Sequence, residues 1–259
     1  MKLRYCIVGK GFIFSRHVQA IEATGGIVAL TCDIDPLKNP DFTDWVEMFH
    51  SPRFEEIDVV VICTPNYLHA VIAREATLRN KRVICEKPLS ISGTEGLYAV
   101  NTVLQLRYHP KLQDLNPKTV SVTAKMFRDE KYWAGWKGNT TKSGGILYNL
   151  GVHYIDLLIF LLGYPVAILD ASYSPKLATG RIQFHRGVGE YHIEILDERE
   201  GQTRSIIADG EEISLSDKDN LSYEDLHTEV YKHFLAGNGI TFGEERKSIE
   251  LVAKLMAHV

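Results

Sequence analysis

Residues 3–8 form a short apolar run that ends in Gly9-Lys10-Gly11. Such a run reads as a buried strand. Two glycines one residue apart let the chain turn tightly off a strand tip and bring backbone N–H groups close to a phosphate at the start of a helix. The next apolar run, 27–32, ends at Asp33, about 20 residues further on, where a carboxylate can hold ribose hydroxyls. Strand, glycine turn, helix, strand and acid in this order confine the first part of the chain to an open α/β sheet whose strand tips hold a dinucleotide. Phe14 stands at the third glycine position of the G-x-G-x-x-G pattern, so the helix must sit differently on its strand.

The pattern continues along the first hundred residues. Helix is expected over 13–23, strand over 27–32 and a short helix over 44–49 with Thr43 as N-cap. The β-branched run 58–63 reads as a buried parallel strand. Helix 67–79, strand 82–85, at most two helical turns over 94–99 and strand 100–106 follow. Beyond this the order changes. A long strand at 119–127 precedes a helix over 145–162 that stops at Gly163 before Pro165. Strands are expected over 166–173, 181–185, 191–196, 203–208 and 211–215, with Asp209-Gly210 as a hairpin turn. A helix over 222–236, opened by Ser222 and Asp225 and stopped by Gly237, and one over 244–257 close the chain. The fold class is therefore an α/β Rossmann domain with a doubly wound parallel sheet, followed by an α+β domain with a mostly antiparallel open sheet. The expected domains are 1–106, binding the dinucleotide, and 107–259, binding substrate and carrying subunit contacts.

At 259 residues the chain suits one large domain or two smaller ones. Its 45% hydrophobic and 24% charged content is ordinary, and a net charge of −4 gives no general attraction to nucleic acid. No 18-residue apolar run and no leader are evident, so no membrane partner is expected. Cys6, Cys32, Cys63 and Cys85 are scattered through apolar runs. They are expected as buried free thiols of a cytoplasmic protein, with no metal site.

Charge at strand tips marks the chemistry. Glu86-Lys87-Pro88 follows the apolar run 82–85, and Thr64-Pro65-Asn66 follows 58–63. Ligands of open α/β sheets lie beyond the carboxyl ends of the strands. One dinucleotide would explain Gly9, Gly11, Phe12, Ile13, Asp33, Thr64, Pro65, Asn66, Glu86 and Lys87 together, with Asp35 in reserve for Asp33. Pro65 and Asn66 read equally well as turn residues. His69, one turn into its helix, is grouped with them as a supporting or solvated histidine rather than a catalyst. On the 145–162 helix, Asn149, His153 and Asp156 share one face. A polar stripe on an apolar helix needs partners, which a cleft would supply.

The turn at Gly9, the Glu86-Lys87-Pro88 triplet, and Gly144-Gly145 leading to Gly151-x-His153-x-x-Asp156 resemble the Gfo/Idh/MocA oxidoreductase family over the whole chain. A closer resemblance runs through 101–110, 135–139, 143–156 and 225–231. It is to bacterial dehydrogenases that oxidise C3′ of UDP-N-acetylglucosaminuronic acid for O-antigen sugar synthesis. The resemblance implies NAD as cofactor, a UDP-sugar as substrate, and a homo-oligomer, dimer or tetramer, through the second-domain sheet. It implies that Lys87 polarises the C3′ hydroxyl and that His153 is the general base, while Asn149 orients without titrating. Gln105 then lies on the cofactor side. Arg107, Trp136, Lys137 and Tyr231 lie on the substrate side with Lys87, Asn149 and His153. Arg107 either holds a carboxylate or phosphate or forms an interdomain salt bridge. Trp136 either walls the sugar or packs its loop, and Tyr231 with His227 either meets substrate or only the sheet. The chain departs from the family in Phe14, in Asn149 where many members carry Asp, and in its shortness. Asn149 points to the UDP-sugar branch. Two alternatives stay open: another sugar or cyclitol dehydrogenase, and a non-catalytic NAD-binding sensor.

Overall fold

The computed structural model describes residues 2–92, 97, 99–213 and 226–258. The chain forms two compact units, Met1–Gln105 with Glu224–Gly243, and Leu106–Tyr223 with Glu244–Val259. In the first unit, β1 (Arg4–Val8), β2 (Ile27–Cys32), β3 (Val59–Ile62), β4 (Arg82–Cys85) and β5 (Val100–Thr102) make one parallel sheet in the order β2-β1-β3-β4-β5. The order reverses between β1 and β3, the place where an open sheet leaves a crevice at its strand tips. β3 is Val-Val-Val-Ile with all four residues buried, as expected for a strand covered on both faces. The helices Phe14–Ala23 and Asn66–Leu78 bury Ala20, Ile21, Ile72, Ala73 and Ala76.

Several boundaries move for local reasons. The short helix is Trp45–His50, and its N-cap is Asp44, whose carboxylate accepts from Val46 N at 2.8 Å; Thr43 does not cap it. β5 stops at Thr102, and Gln105–Tyr108 is a 3₁₀ turn rather than strand. The expected turns at 94–99 and the capping pair Ser222 and Asp225 fall mostly or wholly outside the described residues. The helix Leu226–Leu235, which a boundary at 106 would assign to the second domain, clusters with the first unit. It packs on the helix Phe14–Ala23.

The second unit is built on a six-stranded sheet in the order β11-β10-β6-β9-β8-β7, from β6 (Thr119–Phe127), β7 (Pro165–Tyr173), β8 (Leu177–Phe184), β9 (Val188–Leu196), β10 (Thr203–Ala208) and β11 (Glu211–Ile213). Only β6 and β9 run parallel. Asp209 and Gly210, with φ of 49° and 88°, turn β10 into β11. Alternate residues of β6 and β9 are buried on one face, where the helix Val152–Leu162 packs. The stretch Thr140–Leu162 is long and apolar enough to cross a membrane, yet 83% of its apolar window is buried inside the protein. Its apolar residues are therefore already used by the core.

Arg107 ties this unit together. Its Nε and Nη2 each donate at 2.7 Å to Asp156, its Nη1 donates at 3.2 Å to Glu244, and Ser248 Oγ donates at 2.6 Å to Asp156. The side chain is 11% exposed. Arg107 is thus committed to a bidentate ion pair within one unit, rather than to a substrate anion or an interdomain bridge. Arg107→Ala leaves Asp156 buried without its counter-charge, which costs about 3–5 kcal/mol. A urea unfolding curve should show that loss. An unchanged midpoint would mean the pair is energetically idle.

Candidate functional site

Strand tips of the first unit carry the dinucleotide features. Gly9 has φ +101°, its N–H donates to Cys32 O at 2.7 Å, and a Cβ there would lie 2.6 Å from Cys63 O. Only glycine fits. At Gly11 a Cβ would meet nothing within 4 Å, so the protein's own packing gives no reason for that glycine. A close-lying phosphate does. Phe12 is exposed and lies over Arg16, while Ile13 is the backbone N-cap of the first helix. Phe14 replaces the third glycine, and Lys10 Nζ sits 5.4 Å from its ring.

Asp33 is nearly buried at the tip of β2 and accepts from Lys10 N at 2.6 Å, Asp35 N at 2.9 Å and Lys38 Nζ at 2.9 Å. Burial pushes its pKa up, but these donors outweigh it and hold the carboxyl below its usual value. Lys38, which sequence reasoning missed, stands where ribose hydroxyls would bond. Its exposed, flexible stem lets it yield. Thr64 Oγ1 and Gln105 Oε1 are shut off from water without a hydrogen-bond partner among the described residues. Buried polar atoms in native structures are normally partnered. An open glycine, a ribose-directed carboxylate and two orphaned polar atoms fit a dinucleotide such as NAD. Asn66 is buried at the start of its helix behind Pro65.

Glu86 and Lys87 leave β4, with a cis peptide between Lys87 and Pro88. Glu86 does not face outward. Its carboxylate meets His17 Nε2 at 3.0 Å and His227 Nε2 at 3.5 Å. Behind it, His17 Nδ1 meets Tyr231 Oη at 2.9 Å. An ionised carboxylate only accepts, so His17 donates from Nε2 and receives the Tyr231 hydroxyl at Nδ1. Burial raises the Glu86 pKa, but hydrogen bonds and charge from His17 and His227 hold it well below the usual range. Tyr231, expected at the substrate, is fully buried inside the first unit. Glu86 is a structural anchor for its turn. His17 carried no motif in the sequence; its one signal was a histidine on the apolar face of the first helix. His17, Glu86 and His227 also offer three ligand atoms within 4.8 Å, a set that could hold a metal ion, although scattered cysteines had indicated none.

The second unit contributes the helix with Asn149 and His153. Gly144 and Gly145 have φ of 79° and 80°, and a Cβ on Gly145 would strike Tyr173 Oη. Residues Leu147–Gly151 then form a π-turn before the α-helix Val152–Leu162. Such turns are rare and concentrate at functional sites. The expected polar stripe divides here. Asp156 is taken by Arg107, while buried Asn149 donates at 2.8 Å to Tyr132 Oη. Arg128 lies over the Tyr132 ring and donates to Phe127 O. Among the described residues no carboxylate pairs with it. Burial lowers its pKa most and Arg204 adds to this, while Tyr132, Tyr154 and Asp129 pull the other way. Burial, then Arg128, lowers the pKa of Lys137, whose Nζ is 5.8 Å from the Trp136 ring. Cavities of about 540 and 520 Å³ open beside Trp133, one lined by Arg128 and Lys176 together with Asp129, Glu130 and Asp197, the other by Trp136, Asn139 and Lys142. Tyr132 and Arg128 escaped sequence reasoning because neither lies in a spaced motif.

Comparison with known proteins agrees with both halves. Residues 3–105 match the family model "Oxidoreductase family, NAD-binding Rossmann fold", and residues 112–196 match "Oxidoreductase family, C-terminal alpha/beta domain". The crystal structure of the WlbA (WbpB) dehydrogenase from Thermus thermophilus in complex with NAD and UDP-GlcNAcA superposes with a TM-score of 0.80. It is 29% identical, over 97% of this chain and 94% of that one. Glucose-6-phosphate 3-dehydrogenase of Bacillus subtilis is 25% identical over 60% of this chain and 52% of its own. An inositol 2-dehydrogenase of Salmonella typhimurium is 31% identical over 37% of this chain and 31% of its own. The chain spans about half the length, or less, of these curated relatives.

Gly9→Ala should unfold the first unit or abolish nucleotide binding. Gly11→Ala should leave the melting temperature unchanged and weaken NAD about tenfold or more, read by titration calorimetry. Equal NAD affinity in Gly11→Ala would remove the turn from the cofactor site. Asp33 and Glu86 have depressed pKa values. They contribute stability above the ordinary carboxylate range of about 4, lost as pH falls through their folded values. His17, lowered by burial, begins the loss earlier, as pH falls through about 6.5 where the unfolded chain takes up its proton. Urea midpoints should therefore hold from pH 8 to about pH 6.5, fall below that as the unfolded chain takes up the His17 proton, and fall more steeply below about pH 4 as the unfolded carboxylates are protonated.

Proposed function

Because this chain belongs to the Gfo/Idh/MocA oxidoreductase family, we propose that it oxidises the C3′ hydroxyl of UDP-N-acetylglucosaminuronic acid to the 3-keto sugar, with NAD as cofactor. The observation that carries the substrate is Asn149 on its π-turn, donating to Tyr132, over whose ring the Arg128 guanidinium lies with Lys137 near enough to feel its charge. A uronate carboxylate or a diphosphate is the anion such a group would take. The Thermus thermophilus structure with UDP-GlcNAcA, similar over nearly all of both chains, supports the same reading.

Gly9, Gly11, Asp33, Thr64 and Gln105 would hold NAD, which when bound supplies the acceptor for the hydride leaving C3′. The protein's own residues handle the proton. Lys87 places a positive charge at the hydroxyl and favours the growing alkoxide. His153 accepts the hydroxyl proton as general base, since imidazole titrates near working pH. Asn149 is an amide and can only orient. The reading includes a cytoplasmic enzyme of O-antigen sugar synthesis. It also includes a homo-oligomer formed through the open face of the second sheet, whose strands expose Val166, Leu169 and Ile207.

Mixing the protein with NAD and UDP-N-acetylglucosaminuronate should produce reduced-nicotinamide absorbance, with a 2-oxo acid added to relieve any stalled, tightly bound cofactor. Lys87→Ala and His153→Ala should each lower turnover about 10²–10⁴-fold while NAD affinity stays within about threefold. Arg128→Met should raise KM for the UDP-sugar about tenfold with little change in kcat. Signal with inositol or glucose 6-phosphate but none with the UDP-sugar would replace this substrate by the curated relatives' kind. NAD binding with no turnover on any sugar would favour a sensor.

A further inference from the structure

His69 lies in the helix Asn66–Leu78 and is 1% exposed. Its Nδ1 is 2.7 Å from Pro88 O, and its Nε2 is 2.7 Å from Thr64 O. A carbonyl oxygen only accepts, so each contact needs a proton on the ring nitrogen. A neutral imidazole carries one such proton and would set its bare lone pair against the other carbonyl. Only the imidazolium makes both bonds. The two carbonyls belong to the turns at the tips of β3 and β4, and Lys87 is the neighbour of one of them.

We propose that His69 is a positioning residue, neither base nor cofactor ligand, whose doubly protonated ring ties the Thr64 turn to the Lys87-Pro88 turn, so that the aim of Lys87 depends on one buried proton.

The charges around the ring define how firmly that proton is held. Burial is the largest influence and holds the His69 pKa below the ordinary imidazole value; the two carbonyls and the Glu86 carboxylate pull against it, and Lys87 adds to the lowering. From the helix Phe14–Ala23, His17 faces Glu86, and from the helix Leu226–Leu235 so does His227, with Tyr231 behind His17. At the tip of β3, Cys63 stays a neutral thiol because burial raises its pKa. The bridge is therefore complete on the acid side and loses one of its two bonds as pH rises through the His69 value. On the far side of the turn the Glu86 side chain remains anchored by His17, so the loss loosens one wall of the turn and leaves the other.

The direct test uses the intact wild-type protein. Histidine ¹⁵N labelling, with His69 assigned by its absence in His69→Gln, reports which ring nitrogens carry protons. Because burial holds the His69 pKa below the ordinary imidazole value, the titration runs from about pH 8 down to the acid limit of the folded protein; His69 should pass from a single tautomer to both nitrogens protonated. A ring that stays neutral down to acid unfolding overturns the proposal. The consequence for turnover rests on the reading of Lys87 as the group that polarises substrate. There, His153 must be neutral to accept the substrate proton, so both enzymes gain kcat with pH through that group, and the ratio of wild-type to His69→Gln kcat should fall about tenfold as pH rises through the His69 transition. His69→Gln, with one donor nitrogen, should lack that second limb. A variant with the same second limb as wild type overturns the positioning role, whereas a merely destabilised variant would lower the melting temperature and keep the limb. Should no sugar be oxidised, the functional reading fails and the NMR titration still decides the bridge.

Discussion

The turn that presents Lys87 depends on a buried carboxylate. Glu86 leaves the tip of β4 and turns inward, where His17 donates to it at 3.0 Å and His227 stands 3.5 Å away. An isolated carboxylate in such a place would be protonated or would not be there. Here the two rings hold its pKa well below the usual range, and Tyr231 completes the chain from behind His17. That chain joins three elements distant in sequence: the first helix, the tip of the fourth strand and the helix Leu226–Leu235. It is also why this last helix belongs to the first unit, against the order of the chain. The neighbouring histidine, His69, spans the Thr64 and Pro88 carbonyls. Polar groups on both sides of Lys87 are thus spent on holding its backbone rather than on chemistry.

The second unit follows the same economy. A single cation, Arg107, is consumed by Asp156 and Glu244, and Ser248 donates to the same Asp156. This removes Asp156 from the polar face it shares in sequence with Asn149 and His153. The π-turn Leu147–Gly151 sits immediately before it and carries Asn149, which Tyr132 engages. One end of the helix is therefore structural. At the other, Arg128 lies over the Tyr132 ring, and burial together with Arg128 lowers the pKa of Lys137.

The fold was legible because its signals are local. Apolar runs of strand length, glycines at a strand tip and an acid at the next tip each act within a few residues, and the parallel sheet follows from their alternation. The strand-tip positions of Gly9, Gly11 and Asp33 were legible for the same reason: they stand where the strand-turn-helix unit must put them. Thr43 yielded to Asp44 as a cap because both neighbouring residues are good caps and only the backbone decides between them. Tyr231 was misplaced because a helix face tells which residues point the same way, without telling what lies opposite. Arg107 was misplaced likewise, since its motif carries no record of Asp156, 49 residues on.

By itself the sequence determined the order of strands and helices, the strand-tip location of Gly9, Gly11 and Asp33, and the family to which Glu86-Lys87-Pro88 and the Gly151-x-His153 helix belong. These depend on periodicity, glycine and short spacing, all written along the chain. Only the tertiary structure decided which charged and polar groups pair. Within the first unit Glu86 and Tyr231 both meet His17, and within the second Arg107 meets Asp156, across long separations in sequence. The physical reason is that a buried charge is defined by its partner, and the partner is chosen by packing rather than by position in the sequence.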